Sequence, residues 1–225
     1  METNINSFVS AEKQIINSIE ELSGSYTPYV IFTDWVKMMA ISIQNSCTIH
    51  NKLWDTREKL YLDTVKKYNS GEVALFCKMH GLLWQLYQEY GIYDYLGDIY
   101  MRSGAGSKMT GQFFTPFHVS ELCAIIRLKD VKKDENIKMN EPSTGGGGLI
   151  LATAKVLCDK GINYQRCLDV VARDLDWNGV YMTYVQLSMI GIKAVVIQGD
   201  TLAEPEKNYN AERFLMTPAK IGAIL

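Results

Sequence analysis

The 225-residue chain has few cysteines, and none at a spacing that would let them hold a metal. Cys47, Cys77, Cys123, Cys158 and Cys167 form no C-x-x-C, and only His50, His80 and His118 accompany them. That set assembles no zinc pattern and predicts free thiols, packed as small apolar residues in a reducing compartment. An excess of one charge is also lacking: 23 Lys and Arg stand against 25 Asp and Glu, for a formal net charge of −2. Nucleic-acid-binding domains usually carry a clear basic surplus, so bulk electrostatics do not point to one. Any DNA contact would draw most of its phosphate-neutralising charge from a partner. No apolar run approaches the ~18 residues of a membrane-spanning helix. The opening "METNINSFVSAEKQ" has no basic segment followed by an apolar one, so it does not read as a signal peptide. A cytoplasmic protein without membrane or metal is the expectation.

Proline is scarce as well, and residues 1 to about 105 contain only Pro28. This half reads as helical. Ile15, Ile16, Ile19 and Leu22 fall on one face, with Ser10 as the expected N-cap and Gly24 as the stop. Trp35, Trp54, Trp84, Tyr87 and Tyr90 recur at helical spacing, which favours core over a base-stacking platform. The short "RSGAGSK" (102–108) reads as a linker or lid, which gives a helical domain over 1–105 and a second domain over 106–225. In the second, apolar runs of strand length alternate with helices: "NIKMNE", "CLDVVARDLD" and "KAVVIQGD" as strands, "GLILATAKVLCDKG" and "WNGVYMTYVQLSMIG" as helices. That alternation predicts a parallel sheet covered on both faces.

Glycine is concentrated in "NEPSTGGGGLI" (140–150), at the turn from the first strand into its helix. In a doubly wound sheet this is the carboxyl edge, where ligands bind. A dinucleotide loop needs G-x-G-x-x-G, but Ile150 or Leu151 stands where the third glycine should be. No Walker lysine follows either. A nucleoside ligand without a pyrophosphate remains. Asp174 and Asp176 close the second strand and Asp200 the third. A carboxylate after the second strand can accept both ribose hydroxyls, and one after the third can accept from an adenine amine. Glu141 could hold a backbone group or a cationic amine. The spacing fits S-adenosylmethionine.

With those residues in view, "GQFFTPFHVSELCA" (111–124), "NEPSTGGGGLILATA", "ARDLD" and "GDTL" (199–202), in this order, resemble the N6-adenine DNA methylase family. The likeness is strongest to the modification subunit of type I restriction systems and its phage and plasmid relatives. "DYLGDIYMR" (94–102) is similar to the segment preceding that family's T-P motif. The resemblance implies an N-terminal helical domain followed by a shortened Rossmann-like methyltransferase sheet of mixed α/β class. It implies that Phe114, Thr115 and Pro116 cover the methionine end of S-adenosylmethionine. Glu141, Gly145 and Gly147 would floor its pocket, Asp174 would hold the ribose and Asp200 the adenine edge. Thr115 and Pro116 also read as N-cap and first residue of the following helix.

Adenine-N6 transfer in that family needs one more motif, N/D-P-P-Y/F, which this sequence lacks. The degenerate candidate is "FLMTPAKIG", with Thr217 and Pro218, then Ala219 for the second proline and Lys220 for the aromatic. The chain also reads as truncated after the fourth strand. Two functions therefore stand side by side. One is a DNA adenine-N6 methyltransferase acting with a partner, such as a DNA-specificity subunit, or as a homodimer. The other is a catalytically inactive, cofactor-binding relative that regulates, decoys or assembles a restriction-modification complex. The T-P motif argues against a small-molecule methyltransferase.

Overall fold

The computed structural model describes residues 2–49, 51–106, 113–133, 135–203 and 210–222, with side chains from Ala11 onward. The first half holds five helices among these residues: α1 (Glu2–Leu22), α2 (Pro28–Cys47), α3 (Trp54–Val65), α4 (Ser70–Tyr90) and α5 (Tyr95–Arg102). Helix α1 begins at Glu2 and runs through Ser10, so the cap expected at Ser10 is not one. Neither Gly nor Pro occurs in that stretch, and a helix-interior serine costs only a few tenths of a kcal/mol. Helix α2 starts with Pro28 at its first turn, where a missing N–H costs nothing, and Thr27 Oγ1 accepts from Val30 N at 3.4 Å. A capping box opens α4: Asn69 Oδ1 accepts from Glu72 N, and Glu72 Oε2 accepts from Asn69 N. Gly91, at φ +78°, stops it. Trp35 and Tyr87 are buried as expected for core, whereas Trp84 faces solvent.

The second half alternates α6 (Phe117–Arg127), β1 (Ile137–Glu141), α7 (Gly148–Asp159), α8 (Tyr164–Cys167), β2 (Leu168–Asp174), α9 (Trp177–Met189), β3 (Lys193–Gln198), β4 (Phe214–Met216) and α10 (Pro218–Gly222). The strand order is β1-β2-β3-β4. Met139 pairs with Val170 and Val170 with Ala194 in parallel register. Strand β4 runs antiparallel to β3, with Leu215 opposite Val196. The expectation of a parallel sheet fails at that edge; an antiparallel pair needs no crossover helix between its strands.

Side chains alternate across the sheet. Leu168, Val170, Ala172, Ala194, Val196 and Leu215 form a buried face. Lys138, Asn140 and Val171 on the other face are exposed, so among the described residues coverage of both faces does not hold. Helix α9 contacts β2 and β3 on one side and α2 on the other. This explains why it is buried nearly all round, with Val180, Met182, Val185 and Leu187 all fully buried. One apolar core runs continuously through both halves. Four of the five cysteines are exposed, and Cys167 alone is buried, so most do not serve as core residues. Among the described residues no helix is long and apolar enough to cross a membrane.

Candidate functional site

The turn between β1 and α7 lies at the carboxyl edge of the three parallel strands. Its glycines serve two purposes. Gly145 (φ +53°) and Gly147 (φ +93°) occupy the left-handed region that side chains disfavour. Gly146 and Gly148 leave room for a neighbour: a Cβ on either would lie 3.0 Å from a carboxylate oxygen of Asp94. A Cβ on Gly145 would also press the Phe114 ring at 2.8 Å.

The turn is tied down from several elements. Thr144 N donates to Arg173 O at 2.8 Å. Gly145 N donates to Asp174 Oδ2 at 2.7 Å. Thr183 Oγ1 donates to Gly145 O at 3.0 Å, which leaves Thr144 as the donor in the 3.1 Å contact between the two threonine hydroxyls. From α9, the fully buried Gln186 donates through Nε2 to Gly146 O (2.6 Å) and Asp94 Oδ1 (2.7 Å). Its Oε1 accepts from Tyr87 Oη (2.6 Å) and Leu96 N (3.1 Å). All four hydrogen-bonding sites of this amide are used.

A cavity of about 200 Å³ opens over the turn. Asp94, Phe114, Thr115, Ser120, Glu141 and Gly145 are among its lining residues. No lysine, arginine or histidine lines it among the described residues. The carboxyl of Glu141 is raised above its ordinary pKa by burial, opposed by Ser143 N–H and reinforced by the nearby charge of Asp174. Burial also raises Asp174, opposed by the N–H groups of Asp176 and Gly145. It likewise raises Asp94, opposed by Gln186 and Gly97.

The expected site residues distribute as follows. Phe114, Thr115, Glu141 and Gly145 line the cavity; Gly147, Pro116, Asp174 and Asp200 do not. Asp174 lies directly behind the turn, each carboxylate oxygen already accepting one backbone N–H. Asp200 Oδ1 accepts from Leu202 N and Ala203 N in its own turn. That turn is stitched to the site: Gly199 N donates to Asp174 O (2.9 Å) and Thr201 Oγ1 to Pro142 O (2.6 Å). Pro116, rather than Thr115, occupies the N-cap position of α6, and no side chain caps that helix. The Thr115 hydroxyl is thus not engaged as a cap. Gly111 and Gln112 of the T-P motif lie outside the described residues.

Thr217 and Pro218 are elsewhere. Thr217 is fully buried, donates to Ile192 O at 2.6 Å and accepts from Ala194 N at 2.9 Å. That is the amino end of β3, while the cavity faces the carboxyl end. At ~3.3 Å per residue, the four steps from Ala194 to Gln198 put it about 13 Å away along the strand. Lys220 is paired with Asp169 at 2.7 Å rather than turned to a ligand. Thr217, one of the two degenerate candidates for the missing motif, is thus bonded to the backbone beside β3. Sequence reasoning missed Asp94, Thr183 and Gln186. Asp94 caps α5 and opens the "DYLGDIYMR" segment, while Thr183 and Gln186 are two of four polar residues, with Asn178 and Ser188, in a largely apolar helix.

The sequence profile of the family described as N-6 DNA methylase matches residues 91–219. The chain belongs to the N-6 DNA methylase family. The N-6 DNA methylase match takes in Asp94, the T-P segment, the glycine turn, Asp174 and Asp200. No curated protein sequence matches significantly. Among solved structures, the chain resembles a Listeria monocytogenes protein assigned to the class I S-adenosylmethionine-dependent methyltransferases, at TM-score 0.52 and 13% identity. That match covers 89% of this chain and 56% of the other. It also resembles the methyltransferase subunit of a type I restriction-modification system from Streptococcus thermophilus, at TM-score 0.50 and 12% identity, covering 92% and 61%. The chain thus spans under two thirds of the length of either. The N-6 DNA methylase fold here is a set of N-terminal helices followed by a shortened Rossmann-like α/β sheet of the methyltransferase type. Among the described residues no group of three His, Cys, Asp or Glu could hold a metal ion.

Proposed function

We propose that this chain binds S-adenosylmethionine over the glycine turn and, with a partner, serves methyl transfer to the N6 amine of adenine in DNA. One observation carries the reading: Glu141, Thr115 and the glycine turn share one cavity at the carboxyl edge of a parallel sheet, inside the family match. The fit is chemical. Bare glycine backbone admits a ligand closely, and a cavity lined by two carboxylates and, among the described residues, no basic side chain suits a ligand with a cationic group. When bound, S-adenosylmethionine supplies an electrophilic methyl group on a sulfonium centre. Phe114, Thr115 and Pro116 would cover its methionine end, and Glu141, Gly145 and Gly147 would floor the site. Asp174 keeps lone pairs for ribose hydroxyls beyond its two backbone bonds. Asp200 would meet the adenine edge.

We read residues 1–105 as a helical docking domain and 106–225 as a partial Rossmann-like domain, working in the cytoplasm. The near-neutral charge supports leaving DNA specificity to a partner subunit. Among the described residues strand β1 has a strand neighbour on one side only; of the exposed Leu122, Ile125 and Ile126 of α6, Ile126 shares a cavity with Ile137 and Met139 of β1. An unpaired edge beside apolar surface supports a protein partner or a second copy.

A second reading, the inactive cofactor-binding relative, is favoured by one observation: the Thr217 hydroxyl is bonded to the backbone at the amino end of β3, away from the cavity. Calorimetry with S-adenosylmethionine on the wild type and Asp174→Ala, followed by labelled-methyl transfer to DNA, separates the two. Absence of binding at high micromolar ligand would sink both. Binding without transfer, with candidate partners present, selects the second.

A further inference from the structure

We propose that Asp94, supplied by the helical half, is a ligand residue of this site and shares with Glu141 the α-ammonium group at the amino-acid end of the bound molecule. This rests on the cofactor reading above. Asp94 is only 5% exposed, yet it lines the same cavity as Glu141 and Thr115. It caps α5, and its donors among the described residues, Gly97 N at 2.9 Å and Gln186 Nε2 at 2.7 Å, both meet Oδ1. The three glycines around it, Gly97, Gly146 and Gly148, each lack a Cβ where its carboxylate lies.

The charge is what needs explaining. An asparagine caps a helix as well as an aspartate and would accept the same two bonds through its carbonyl oxygen. Burying a carboxylate with only neutral donors costs several kcal/mol more than burying an amide. A brace alone therefore has no use for the negative charge. A cation entering the cavity does, because it meets two carboxylates there without a competing basic side chain among the described lining residues. The α-ammonium beside the sulfonium of S-adenosylmethionine is such a cation.

The test compares S-adenosylmethionine with 5′-methylthioadenosine, which keeps the nucleoside and sulfur but has no amino-acid end and no charge. By calorimetry, Asp94→Asn should weaken S-adenosylmethionine at least tenfold and change methylthioadenosine less than twofold. Equal weakening of both, or of neither, overturns the proposal. A second variant covers the case where Asp94→Asn fails to fold. With Asp94 intact, Glu141→Gln should keep part of the preference for S-adenosylmethionine; complete loss of that preference overturns the role of Asp94. Wild-type protein that binds neither ligand would instead refute the cofactor reading itself.

Discussion

Replacing Gly147 by alanine tests whether the turn is held by packing as well as by its backbone angles. Gly147 and Gly161 both sit in the left-handed region, at φ +93° and φ +69°. A methyl group on Gly161 would meet nothing within 4 Å, so Gly161→Ala isolates the backbone cost of about 1–2 kcal/mol. On Gly147 the same methyl would lie 3.2 Å from Thr183 Oγ1. Thr183 is poorly placed to retreat, since it donates to Gly145 O and receives Thr144. Losing one of these buried bonds adds about 1–2 kcal/mol. Gly147→Ala should therefore lose about 2–4 kcal/mol. Its melting temperature should fall roughly 2–8 °C further than that of Gly161→Ala, at ~2–4 °C per kcal/mol for a chain of this size. Circular-dichroism melts and urea titrations of the two variants measure the difference. Equal losses would show that Thr183 yields freely and that the turn is not clamped from α9.

Three further outcomes follow from the same geometry. Gln186→Glu keeps shape but turns a donor into an acceptor facing Gly146 O and the Asp94 carboxylate; stability should drop by about 3–5 kcal/mol in urea titration at pH 8. Thr217→Val should cost about 1–3 kcal/mol, by leaving Ala194 N without its partner, and leave S-adenosylmethionine affinity by calorimetry within twofold. Glu12 has its carboxyl raised from 4.5 to about 7 by burial and by Asp98, against the pull of Arg102. Between those values the folded protein holds a proton that the unfolded chain has released, so wild-type stability should fall as pH rises through this window. The loss is on the order of 1–3 kcal/mol. Glu12→Gln should flatten that fall in melts at pH 5 and pH 8.

Much of the second half was legible because its signals are local. Runs such as "LDVVARD" and "KAVVIQ" are too short and apolar for helices and became β2 and β3. The tetraglycine fell at a strand-to-helix junction, as its crowding suggested. What stayed hidden depends on partners far along the chain. Asp94 and Gln186 meet across 92 residues, and nothing near either one announces the other. The direction of β4 depends on where the chain goes after Asp200, which composition does not encode. Thr217-Pro218 looked like a remnant of a motif because one letter, the proline, matched, but the Thr217 hydroxyl is committed to the backbone of Ile192 and Ala194. Trp84 followed the helical spacing of its neighbours and still faces water, because periodicity marks a stripe and not its edges.

The density of glycine at 145–148 now divides into two physical causes. Two of the four relax the backbone, and two make way for a carboxylate that belongs to the other half of the molecule. The second pair is the more informative. A turn that only had to bend would need no clearance on the Asp94 side, and a helix cap that only had to start α5 would need no closeness to the turn. Gln186 joins these requirements by holding Gly146 O and Asp94 with one amide while Tyr87 and Leu96 hold that amide from α4 and α5. The turn geometry is therefore set jointly by the helical half and the sheet, and displacing α4 and α5 from α9 would release Gly146 as well.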